Sequence, residues 1–279
     1  MSWTAWNLAP FVVAGAAVAL ARFADAFLRL RRRGRSDHAS WSKGALFVIA
    51  VALGTLPLVS PLDEAGDAYL LSAHMLQHIL IADAAPALAL LALRGPLLFF
   101  FLPSPVLHRV ARSPRVRRTF AFLLRPRVSI AVWALVVGAW HIPAAYDYTL
   151  THQTAHDLEH LSFIAVGLLA WTQIIDPARR NTLTPSQRLG CAFAMVAFSV
   201  GLGGILIGAA PMYPAYANQA TRLCGLSPAA DQHLAGLEMI TEQLAAFVLC
   251  AAFLLPDLGR ARSAQRRRLT ADIPADALP

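Results

Sequence analysis

The chain of 279 residues is 57% hydrophobic and only 14% charged, where soluble domains carry about 45–50% apolar and about 25% charged residues. So much apolar content excludes a disordered chain, and the three cysteines, with no CxxC or Cys/His finger spacing, exclude a disulfide scaffold or a zinc finger. The net charge of +8 would suit nucleic acid only if the basic residues were not confined to the loops of a membrane protein.

A spanning helix needs about 20 mostly apolar residues. Seven such segments are predicted: 8–30, 42–61, 68–94, 128–150, 153–175, 188–210 and 232–256. Met1–Pro10 lacks a basic start and a clear cleavage site, so it does not read as a removable signal peptide. Basic residues follow the first segment (Arg29–Lys43), the third (Arg94–Arg127), the fifth (Arg179–Arg188) and the seventh (Arg260–Arg268), and these alternate loops hold 22 of the 24 Lys and Arg. The connection between the second and third segments is acidic instead, with Asp63, Glu64 and Asp67. By the positive-inside rule the reading is an all-α, polytopic membrane protein of seven transmembrane helices, N-terminus outside and C-terminus cytoplasmic. Residues 1–259 form the membrane domain. Within it, 96–127 alternates Arg with Val, Leu and Phe and predicts an amphipathic segment on the cytoplasmic surface. Residues 260–279 are expected to form a disordered tail. The partner implied by this composition is the lipid bilayer, not nucleic acid.

Seven of the nine histidines fall on the external side of that topology: His74 and His78, His141, His152, His156 and His160, and His233. Residues i and i+4 share a helix face. His74 and His78 form one such pair and His156 and His160 another. If the segment is helical throughout, His152, His156, Glu159 and His160 lie within an arc of about 100°. Two facing helices so equipped can surround one metal ion with imidazoles, which suit Cu, Zn, Fe and Ni. Asp157 and Glu159 stand nearby as ligands or as groups that orient a ring. Interhelical hydrogen bonding is the competing role for any single histidine. Polar groups at membrane depth are costly and usually functional, so a metal or cofactor site is the better account of the group.

Other residues carry weaker signals. Met75 lies about 100° from His74 and is either a thioether ligand or core packing. Asp231, Glu238 and Glu242 share a face of the last helix. Arg22 in the first helix and Asp83 in the third come to a similar depth of roughly 21–23 Å. A structural ion pair between them is expected, with Asp25 as the competing acceptor. Pro143 is expected to end the fourth helix and leave His141 at its edge.

Several of these motifs resemble a known family. His74-Met75-Leu76-Gln77-His78 with Pro86 and Gly95-Pro96, Trp140-His141-Ile142-Pro143 with Tyr146-Asp147, and the His152, His156, Glu159, His160 set resemble the signatures of the bacterial CtaG-type (caa3) cytochrome c oxidase assembly factors. Trp171, Asp231-Gln232, Gly236 and Met239 match in character, so the likeness runs over roughly 45–255. The chain departs from the pattern at Ala85-Pro86, where paired prolines are frequent, and at Ile240, where a bulky aromatic is expected. The resemblance implies a non-enzymatic protein of the bacterial plasma membrane that meets haem–copper oxidase subunits transiently and handles copper on the outer side. From the residues alone, a membrane zinc hydrolase with Glu159 as base and a b-type haem carrier remain alternatives.

Overall fold

Proline sets where many of the helices begin. Lacking an N–H and fixed near helical φ, it suits the first helical position. Pro10, Pro61, Pro96, Pro114, Pro126, Pro143, Pro185, Pro214 and Pro228 each open a helix. The computed structural model describes residues 6–271. Residues 1–5, which begin the stretch read as lacking a signal peptide, and 272–279, the end of the expected tail, lie outside them.

In chain order the helices are α1 (Pro10–Arg32), α2 (Trp41–Thr55, continued by a 3₁₀ turn, Leu56–Leu58), α3 (Pro61–Ala68) and α4 (Leu71–Ile79). A π-helical turn (Leu80–Ala84) joins α4 to α5 (Ala85–Leu93). Then come α6 (Pro96–Phe101), α7 (Ser104–Arg112), α8 (Pro114–Leu123), α9 (Pro126–Trp140), α10 (Pro143–Thr149), α11 (Gln153–Ile175), α12 (Pro185–Gly208), α13 (Pro214–Ala217) and α14 (Pro228–Ala271). Among the described residues there is no strand.

Among the described residues, six helices or helix runs are long and apolar enough to cross a membrane: α1, α2 with its 3₁₀ turn, α4 through α5, α11, α12 and α14 up to Arg260. A seventh is reached if α8 and α9, bent by 74° at their break, count as one span. The fourth expected segment, 128–150, is therefore not one helix. Its helix α9 is 15 residues, about 22 Å at 1.5 Å per residue, and stops where Pro143 forbids continuation. The surface segment 96–127 is three short helices, not one, because Pro103, Pro114 and Pro126 interrupt it. None of the side chains of α7 and α8 is buried. The tail expected to be disordered from Arg260 continues α14 as far as Ala271, through a stretch rich in Arg and Ala, both good helix formers.

Two polar residues on α14 tie the bundle together. Asp231 accepts from Leu71 N at 2.8 Å, Ser72 N at 3.1 Å and Ser72 Oγ at 2.6 Å. It thus caps the start of α4 from a helix 160 residues away, where a carboxylate also meets the positive helix end. Its neighbour Gln232 donates to Leu206 O and accepts from Met212 N, closing the end of α12. Gly203 and Gly236 allow α12 and α14 to touch: a Cβ on either would lie 2.6–2.7 Å from the other's carbonyl oxygen. Gly201, Gly204 and Gly208 of α12 face open space instead.

The π-turn has a local cause. Ala85 N donates to Leu80 O, one residue further back than in an α-helix, and Pro86 has no N–H to offer Ala82 O. That carbonyl stands against Gly167 of α11, where a Cβ would come within 1.9 Å of it. This seats α11 directly on the α4–α5 span.

The expected Arg22–Asp83 pair does not form. Arg22 donates to Phe101 O at 2.8 and 3.1 Å and sits 3.7 Å from Asp25. Asp83 accepts from Trp171 Nε1 at 3.0 Å. Equal depth was not sufficient, because α1 packs on α2 and α6, not on the Asp83 face. The end of α6 offers Arg22 the unsatisfied carbonyls that every helix C-terminus carries.

Candidate metal centre

The side chains of His74 and His78 descend from α4, and those of His156, Glu159 and His160 from α11. All five are buried. The ring centroids are 4.4 Å apart for His74 and His78, 4.1 Å for His156 and His160, and 5.3 Å across the helices for both His78–His160 and His74–His156. One nitrogen or carboxylate oxygen from each of His74, His78, Glu159 and His160 falls within 4.8 Å of the others, and the same holds for Asp67, His74 and His156. His74 belongs to both groups. Together they make a strip that runs from Asp67, whose side chain is 35% exposed, to Glu159, which is fully buried.

Hydrogen bonding fixes the proton on one ring. The Tyr216 hydroxyl donates its single proton to Gly66 O at 2.7 Å. His74 Nδ1, 2.9 Å from that hydroxyl, must therefore be the donor, which leaves Nε2 with a bare lone pair. His141 follows the same logic: Nδ1 lies 2.7 Å from Val137 O, an acceptor only, so Nε2 is bare.

These atoms make no hydrogen bond among the described residues, although His156 Nε2 lies 3.3 Å from Asp67 Oδ1 and His78 Nε2 3.8 Å from Glu159 Oε1. His74 Nε2, both nitrogens of His78, His156 Nε2, His160 Nε2, both oxygens of Glu159 and Asp67 Oδ1 are buried without a hydrogen bond. Buried polar groups are otherwise satisfied in the large majority of cases, and exceptions call for an explanation such as an ion. A set weighted to lone pairs fits a cation. Outside the spans, burial and the nearby charge of Asp63 push the Asp67 carboxyl up to about 7.

The sequence-based set is not wholly assembled. His74, His78, His156, His160 and Glu159 meet. His152 does not, because α11 begins only at Gln153. His152 sits outside the helix with extended backbone, exposed and stacked on Tyr148 at 3.8 Å. Asp157 is exposed, accepts from Gln153 and belongs to neither ligand group. Met75 is buried among Leu71, Tyr146, Leu206 and Met239 as core. His141 is buried but stands outside both ligand groups. It lines an adjoining cavity of about 40 Å³ with His78, Asp83, Glu242 and Gln243. Of the three acids read on one face of α14, Asp231 caps α4 and Glu242 faces this cavity.

Two contributors were missed. Asp67 read only as one of three loop acids. Its place seven residues before His74, two helical turns on, was a usable signal had α3 and α4 been seen as nearly continuous. Tyr216 lies 142 residues from His74 and carries no local signal.

Residues 21–260 match the family described as the cytochrome c oxidase caa3 assembly factor (Caa3_CtaG). The chain belongs to this family. No curated protein matches it, and neither does a solved structure.

Proposed function

We propose that this protein supports assembly of a haem–copper cytochrome c oxidase by holding copper, as cargo, at the His74, His78, Glu159, His160 cluster. Membership of the oxidase assembly family supports the assembly role. The observation that carries the copper reading is the convergence of buried, unpartnered lone pairs from two spans on one place. Imidazole and carboxylate suit copper or zinc, and the oxidase as client favours copper. His156 and Asp67 extend the site to its exposed edge, where a cation would arrive or leave.

The proposed setting is the bacterial plasma membrane, N-terminus outside, with the cluster at the external face and transient contact with the copper-bearing oxidase subunits. Replacing His78 and His160 together with Ala should abolish stoichiometric metal in the purified protein while its helical circular dichroism persists. A folded double variant with wild-type metal content would overturn the site. In the host, deletion of the gene under copper limitation should lower the oxidase's copper content, and restoration by wild type but not by the double variant is expected.

A further inference from the structure

The opposite end of the bundle carries the complementary signature. Four cations from four segments meet there: Lys43 at the start of α2, Arg94 after α5, Arg179 in the loop after α11, and Arg188 in the first turn of α12. Lys43 Nζ donates to Arg94 O at 2.6 Å, and Gly95 N donates to Pro177 O at 2.7 Å. A Cβ on Gly95 would lie 3.6 Å from Arg179 Nε. Arg94 and Arg188 flank one aromatic ring, with guanidinium carbons 5.3 and 5.9 Å from the centre of Phe253.

Among the described residues no carboxylate lies within 4.0 Å of any of the four. The acids around them are engaged elsewhere: Asp37 pairs with Arg35, Asp176 accepts from Arg180 N and Asn181 N, and Asp257 pairs with Arg260. Arg188 is 4% exposed. Its Nε donates to Ile174 O, yet its Nη2, like Arg94 Nε, is buried with no partner. Gln173 Nε2 is a third buried, unpartnered donor, in a cleft that Arg188 lines together with Arg180 and the carboxylate of Asp176. Where the histidine end presents bare lone pairs, this end presents bare N–H groups, and guanidinium can only donate.

We propose that Lys43, Arg94, Arg179 and Arg188 bind a phosphate-bearing anion, with the headgroup of an anionic phospholipid as the source. All four lie within about a turn of the ends of membrane-spanning helices, at headgroup level, and basic pockets between spans are suited to anionic headgroups. Guanidinium matches phosphate oxygens in pairs. Bound there, the phosphate would join α2, α5, α12 and, through Phe253, α14.

The purified full chain in detergent is titrated with phosphatidylglycerol, with phosphatidylcholine and, separately, with inorganic phosphate, reading the thermal unfolding midpoint. Phosphatidylglycerol should raise the midpoint by ~5 °C at saturation, and phosphatidylcholine should not. Arg94→Gln with Arg179→Gln should abolish the rise. Arg115→Gln with Arg118→Gln, exposed on α8, removes the same charge and should leave it intact. If the first double variant loses its fold, Arg179→Gln alone, at an exposed position, should shift the midpoint titration to higher lipid concentration. Inorganic phosphate giving the full rise at millimolar concentration would support the anion site and assign it to a soluble phosphate. Equal stabilisation by phosphatidylcholine, or a rise lost only in the α8 variant, would overturn the site.

Discussion

At the scale of single residues, one hydroxyl decides what His74 can do. Tyr216 donates to Gly66 O and so obliges His74 to keep its proton on Nδ1, which leaves Nε2 free to serve as the ligand of the proposed site. Such outer partners set ring orientation and basicity, and their loss typically weakens metal binding about 10–100-fold. Tyr216→Phe should therefore lower metal affinity by that order while the number of ions bound at saturation stays the same. Metal titration of the folded variant checks this, and an unchanged affinity would show that Tyr216 only fills space. The histidine set was legible because i, i+4 spacing is a local property of a helix. His152 was misread for the same reason: the arc argument assumed a helix one residue longer than the backbone permits. Asp67 and Tyr216 reach the site through tertiary packing, which no spacing rule encodes.

At the scale of elements, the cluster exists because α11 lies close against the span that carries His74 and His78. That closeness depends on a missing side chain and a missing hydrogen bond. Pro86 leaves Ala82 O without its usual donor, the turn opens to π geometry, and Gly167 accepts the protruding carbonyl. A methyl group at position 167 would stand 1.9 Å from that oxygen, so one of the two spans would have to move. Gly167→Ala should cost on the order of 1–3 kcal/mol, as overpacking does. It should also reduce metal affinity by separating His160, two turns along α11, from His78. Denaturant unfolding and metal titration together test this; a stable variant with undiminished affinity would show that α11 is positioned by other contacts. Pro143 was legible as a terminator, whereas the prolines that open helices were not used to set the segment starts. The π-turn was not readable, since Pro86 within an apolar run marks a distortion without giving its form. Nor was the Asp231 cap, whose partners lie 160 residues away.

At the scale of the whole molecule, the two ends differ in chemistry as the alternating loops implied. Lys43, Arg94, Arg188 and Phe253 meet at one end through α2, α5, α12 and α14. Asp67, His74, His78, His156, His160, Tyr216 and Asp231 meet at the other. Loop charge was enough to sort the loops into two groups; it could not give the rotation of each helix, which is why Arg22 was paired with the wrong acid. The proposed sidedness can be tested with the chain's own thiols. Cys191 and Cys250 are buried, whereas Cys224 is exposed in the connection between α13 and α14, at the histidine end. In the proposed orientation the end rich in Lys and Arg lies in the cytoplasm, so Cys224 should face outwards. A membrane-impermeant maleimide applied to intact spheroplasts should label the wild-type chain, and Cys224→Ser should remove the label. Labelling that appears only after the membrane is permeabilised would invert the orientation. It would put the histidine cluster on the cytoplasmic side, where copper delivery to an external oxidase centre would no longer follow.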